Sequence, residues 1–134
     1  MRKVLYISGP FGLIPEGYDE LHGIRYNINE ASRYALMAAR NGWAPFCPHK
    51  NTSDFQHIED INNESWMEIC LTFVQKSDAL LMIPGWERSK GAERERDLAI
   101  MLGIPVHNSR DGIPMPTKNV RMDDEIKELE KETI

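Results

Sequence analysis

Four short apolar runs, each separated from the next by a segment of helical periodicity, constrain this chain more than any other feature. They are Lys3-Val-Leu-Tyr-Ile-Ser8, Trp43-Ala-Pro-Phe-Cys47, Ala79-Leu-Leu-Met-Ile83 and Ile104-Pro-Val-His107. Gly9-Pro-Phe-Gly12 stops the first run abruptly, and a loop rich in Gly and Pro is expected to reach about Gly23. Ile28, Ala31, Ala35 and Ala38 then predict a helix over residues 25–41, closed by Asn41-Gly42. Pro45 makes the second strand irregular or places it near an edge, and residues 48–61 read as loop. Trp66, Ile69, Cys70, Phe73 and Val74 mark the next helix. A third follows Gly91 and stops at Gly103, and a Pro-rich connection leads to a last helix from about Asp123. The order βαβαβαβα implies an α/β fold, a flavodoxin-like or Rossmann-like three-layer sandwich around a parallel sheet of four to five strands. Strand order 2-1-3-4 would set the carboxyl ends of the first and third strands side by side at a topological switch point.

The chain's 134 residues make one domain, 1–134, with a helical tail from about residue 115. The net charge of −5 is mostly local, because residues 122–134 hold six acids against two lysines and leave about −1 for the rest. That balance argues against a nucleic-acid groove. No apolar stretch approaches the length of a membrane span, and Met1-Arg-Lys ahead of Val4-Leu-Tyr-Ile7 lacks the length and cleavage site of a secretory signal. A cytoplasmic protein is expected. Cys47 and Cys70 are isolated, with no Cys-x-x-Cys and no His at metal-ligand spacing, so they read as free thiols, and neither metal nor cofactor is expected.

Glu95 stands out within the third helix. Ala92, Glu95, Ala99 and Leu102 fall on one stripe, whereas Glu93, Arg94, Arg96 and Asp97 fall mostly on the others. An acid on an apolar stripe either pairs with an arginine at the helix start or serves chemistry. With the helix starting straight after the loop 84–91, Glu95 is expected in its first turn, where the helix dipole favours the anion by roughly 0.3–1 kcal/mol. Neither Gly-x-Gly-x-x-Gly nor Gly-x-x-x-x-Gly-Lys-Ser/Thr occurs, so dinucleotide and Walker-type binding find no support. Gly9-Pro-Phe-Gly12 and Ser89-Lys-Gly91 are looser cradles that serve equally as turns.

Tyr6-Ile-Ser-Gly-Pro10, Gly42-Trp-Ala-Pro-Phe-Cys-Pro48, Ser77-Asp-Ala-Leu-Leu81 and Ser89-Lys-Gly-Ala-Glu-Arg-Glu-Arg-Asp-Leu-Ala99 together resemble, in order and spacing, the nucleoside 2-deoxyribosyltransferase-like superfamily, and within it small bacterial and phage members. The resemblance covers roughly residues 3–107. It implies cleavage or transfer of the N-glycosidic bond of a nucleoside or nucleoside 5′-monophosphate, and the family pattern Gly-x-x-x-Glu-x-x-x-Ala puts the nucleophilic glutamate at Glu95, with Gly91 and Ala99 in their matching places. Gly9, Pro10 and Phe11 match the loop that floors the pocket. Ser89 matches a position where the family carries Ser in monophosphate hydrolases and Asp in deoxynucleoside transferases, which points to a phosphate contact, with a helix N-cap as the alternative. Arg25 and Lys90 are further phosphate candidates, or ordinary solvated charges. Trp86 stacks on a base or lids the strand ends. Family members also imply a homo-oligomer, dimer or tetramer. One departure bears on activity: relatives carry Asp about eight residues before the third-strand Asp78, where this chain has Cys70 on the apolar face of its helix. Loss of that Asp would suit a weak or inactive nucleotide-binding module. Of the histidines, His49 is best placed, at the end of the second strand.

Overall fold

A computed structural model describes residues 1–51, 63–117, Leu129 and Lys131. Its strands are β1 (Val4–Ser8), β2 (Ala44–Phe46), β3 (Ala79–Met82) and β4 (Val106–Asn108), and its helices are α1 (Glu20–Arg40), α2 (Pro48–Asn51), α3 (Asn63–Gln75) and α4 (Lys90–Met101). The four strands form one sheet in the order β2-β1-β3-β4. All three pairings are parallel, with Tyr6 opposite Phe46 on one side and Leu80 on the other, and Ser8 opposite Met82. This is the expected α/β sandwich with the switch point between β1 and β3.

Period-two alternation divides the strand side chains between two cores. Leu5 and Ile7 of β1, with Ala79, Leu81 and Ile83, pack against Ala31 and Ala38 of α1 and against Trp43. Tyr6 of β1, with Leu80 and Met82, packs on the opposite face against Val74 of α3 and Ala92 and Ala99 of α4. The sheet is thus covered on both sides, as a parallel sheet requires. Beyond β4 the chain turns back, and the carbonyls of Ile113 and Pro114 accept from Asn41 Nδ2 at 3.1 Å and Trp43 Nε1 at 2.6 Å. These bonds strap the Pro-rich connection over the end of α1.

Several boundaries differ from expectation. α1 starts five residues before Arg25, because Asp19 caps it by accepting from the His22 amide at 2.8 Å. Gly23 is consequently a helical residue rather than the end of a loop. Pro48 opens the short α2 inside the segment expected to be loop; proline is favoured at a helix's first position, where its missing N–H costs nothing. Leu102 lies at the C-cap of α4 and is exposed, so the buried stripe there is Ala92, Glu95 and Ala99. Met122 and Ile126 of the expected tail stripe lie outside the described residues, and Leu129 is exposed. No helix among the described residues is long and apolar enough to cross a membrane.

Candidate active site

At the switch point, the loops leaving β1 and β3 touch. Gly9 is buried, and a Cβ on it would stand 2.3 Å from Ile83 Cγ1, so at this close approach of the two strand ends any side chain would force Ile83 to shift. One residue on, Pro10 packs against the β3 loop, its Cγ 3.1 Å from where a Cβ of Gly85 would be. A single turn of 3-10 helix, Trp86–Arg88, then carries the chain into α4, whose N-cap is Ser89.

α4 delivers Glu95 beneath this junction. The side chain is only 6% exposed. Its partners come from β1: Tyr6 donates its hydroxyl to Oε2, and Ser8 donates to Oε1 at 3.1 Å. Tyr6 and Ser8 are two residues apart on one strand and so share the face that α4 covers. No ion pair involves Glu95 among the described residues, so the pairing with arginine that competed with a chemical role is not what holds it. Burial pushes the carboxyl up from 4.5 to about 7, against the opposing pull of the two hydroxyl donors. Glu95 is the sixth residue of α4, in its second turn rather than its first. The favourable effect of the helix dipole has faded there. Desolvation therefore governs this carboxyl and makes it ionise near neutrality.

Cys70 belongs to the same cluster. It is buried on α3 beside Tyr6, and its thiol is pushed up to about 11 by burial and by the neighbouring Glu95. The Tyr6 phenol is likewise raised, by burial first and Glu95 second. Glu95 is thus the one member of the cluster that ionises near neutrality.

The remaining candidates occupy the rim. Ser89 Oγ accepts from the Ala92 amide at 3.2 Å, which is the N-cap role, and its hydroxyl proton remains free to donate elsewhere. Lys90 is exposed next to it, and Gly91 is half-buried. Trp86 packs against the Tyr6 core with the Arg96 guanidinium 5.1 Å from its ring centre. Arg25 is exposed on α1, about 200° around the helix from the buried Gly23 and Asn27, and no ion pair among the described residues links it to Glu95. Asn27 instead ties down the first loop by donating to the carbonyls of Phe11 at 2.7 Å and Leu13 at 2.9 Å.

On the β2 flank, His49 is 4% exposed and its Nε2 lies 2.7 Å from the Pro10 carbonyl. Phe11 meets the His49 ring edge-on at 5.5 Å and the Trp66 ring at 6.3 Å. His49 Nδ1 and Trp86 Nε1, one on each flank, are the buried side-chain polar atoms without a partner among the described residues. Sequence reasoning missed Tyr6, Ser8 and Trp66 as site residues. For Tyr6 and Ser8 the signal was present, since alternation places them together, but only the placement of α4 decides which face matters.

The fold and this cluster define an α/β protein with a buried, protonatable carboxylate at the carboxyl edge of a parallel sheet. Residues 3–108 match the family described as a domain of unknown function (DUF4406), and the chain belongs to that family. No curated protein matches it. The match takes in all four strands and every member of the Glu95 cluster, and ends before the Pro-rich connection.

Proposed function

We propose that the protein cleaves or transfers the N-glycosidic bond of a nucleoside or nucleoside 5′-monophosphate, with Glu95 as the nucleophile. The observation that carries this reading is the state of Glu95: buried at the switch point, each oxygen held by one β1 hydroxyl, and ionising at about 7. As the bond from C1′ to the base nitrogen breaks, its electron pair leaves with the base, which takes a proton from water. Positive charge develops at C1′, and a Glu95 oxygen stabilises it and bonds to that carbon. Each carboxylate oxygen has lone-pair capacity beyond the one bond it accepts. Water then attacks C1′, the Glu95–C1′ bond breaks, and a proton passes to solvent; a second base attacking instead gives transfer. Tyr6 and Ser8 orient the carboxylate and favour its anion.

Two rim features support a phosphate-bearing substrate. The Ser89 hydroxyl retains a proton to donate, and Lys90 adds a cation beside it. A Cβ on Gly91, the second residue of α4, would meet only ordinary contacts, Met67 Sδ at 3.7 Å and Ser89 Oγ at 3.9 Å, so protein packing does not require glycine there. By the resemblance, the protein works as a homo-oligomer, dimer or tetramer, and its N-terminal sequence suits a place in the cytoplasm.

Cys70 favours a second reading, a nucleotide-binding or sensing module without turnover. The resemblance expects Asp at this place, and a thiol raised to about 11 stays neutral beside Glu95. Incubation with a panel of nucleosides and 5′-monophosphates, followed by chromatography for free base, separates the two. Base release that disappears in Glu95→Gln supports the glycosidase; binding without release from any member supports the module. Unchanged release in Glu95→Gln refutes the nucleophile.

A further inference from the structure

We propose that His49 reads the base, its Nδ1 accepting a hydrogen bond from an N–H on the base's Watson–Crick edge. The inference rests on the nucleotide reading above. It starts from the tautomer. A carbonyl oxygen can only accept, so the 2.7 Å contact to Pro10 requires the proton on Nε2. Burial favours the neutral ring, which leaves Nδ1 as a bare acceptor. That atom is buried and has no partner among the described residues. A buried polar atom left unpaired costs about 1–3 kcal/mol, a cost recovered if a ligand supplies the missing donor.

Location and chemistry then select the part of the ligand. A phosphate at neutral pH offers no donor to a bare imidazole nitrogen, and in this reading it sits at the Ser89 end. The sugar must lie over Glu95, on the β1 and β3 side. His49 stands on the other flank, at the carboxyl end of β2, in contact with Phe11, whose ring also meets Trp66. Two aromatic rings beside a polar acceptor suit a planar heterocycle with N–H groups on its edge. Because Nδ1 is shut off from solvent, a base reaching it must first displace a neighbour, and Phe11 is the loop ring packed against this imidazole.

The test reads binding in the Glu95→Gln protein, so that turnover does not intervene. Adenosine and inosine 5′-monophosphates carry an edge donor and purine riboside 5′-monophosphate does not; cytidine and uridine monophosphates and 2-pyrimidinone riboside 5′-monophosphate form the pyrimidine set. At least one donor-bearing nucleotide is expected to bind about tenfold tighter than its donor-less counterpart. Adding His49→Leu, which has no acceptor, should bring that ratio to about one without weakening the donor-less ligand. Independently of any change at His49, its Nδ1 resonance in long-range proton–nitrogen spectra should move upfield with the donor-bearing nucleotide alone. A ratio that survives His49→Leu, or an Nδ1 signal that ignores the nucleotide, overturns the proposal. Equal binding of both kinds overturns it while leaving the glycosidase reading intact, whereas no binding by any member or by its parent nucleoside removes both.

Discussion

Replacing Glu95 with glutamine should stabilise the fold above neutral pH, because the wild-type protein buries a charge there that glutamine lacks. Glutamine preserves the local bonding: its carbonyl can accept from Tyr6 and its amide can donate to Ser8 Oγ, the two partners of the carboxylate. The magnitude follows from the titration. Glu95 ionises at about 7 in the folded protein against 4.5 ordinarily, so the folded state binds this proton more tightly than the unfolded state does. Stability from the protonated carboxyl is fully present below 4.5 and is lost as pH rises through about 7. Lifting a carboxyl over that interval corresponds to about 3 kcal/mol, which Glu95→Gln should recover at pH 8–9 and not at pH 4. For a domain of this size the gain raises Tm by roughly 10 °C. Urea unfolding of both proteins from pH 4 to pH 9 measures the difference directly. A difference that stays flat across that range, or a variant less stable at pH 9, would refute the claim that desolvation governs this carboxyl.

Other consequences follow from the same geometry. Tyr6→Phe removes a donor that favours the Glu95 anion, so the carboxyl should titrate above 7 and the acidic limb of any base-release profile should move to higher pH; carboxyl carbon NMR of Glu95 reads the shift independently of activity. Gly9→Ala forces a methyl to within 2.3 Å of Ile83 Cγ1 and should cost about 1–3 kcal/mol in urea unfolding, and less when introduced into an Ile83→Ala background, as a double-mutant cycle reads. At pH 8 a thiol raised to about 11 holds roughly a hundredth of the thiolate of an ordinary cysteine. A short iodoacetamide pulse followed by peptide mapping should therefore label Cys70 in the native protein at least 100-fold more slowly than in the denatured chain.

The sequence made the sheet legible because each strand carries its own buried run and each crossover its own periodicity. Glu95 was legible as well, since one acid on the Ala92–Ala99 stripe has no reason to point inward unless something receives it. What receives it was not legible. Tyr6 and Ser8 share a face by alternation, yet whether α1 or α4 covers that face is set by the crossovers rather than by β1 itself. Gly23 read as part of a loop, but it is a close-approach position in α1, where a Cβ would stand 2.6 Å from Ile14 Cγ2. A glycine selected for packing carries the same letter as one that breaks a helix. The helix-dipole argument for an ionised Glu95 failed for a related reason: the N-cap falls at Ser89, so the residue lies a turn too deep. Cys70 read as core packing on α3, and its contact with Tyr6 became visible only when β1 and α3 were set side by side.

The central claim is that the Glu95 carboxylate bonds to the sugar's anomeric carbon. Fluorine at the 2′ position slows breakdown of such a bond by destabilising positive charge at C1′. Rapid quenching of the protein with 2′-fluoro nucleosides and 5′-monophosphates, followed by peptide mass mapping, should find one fluorosugar unit on Glu95 and none in Glu95→Gln. Base release accompanied by an adduct on a different residue, or undiminished in Glu95→Gln, would contradict the account.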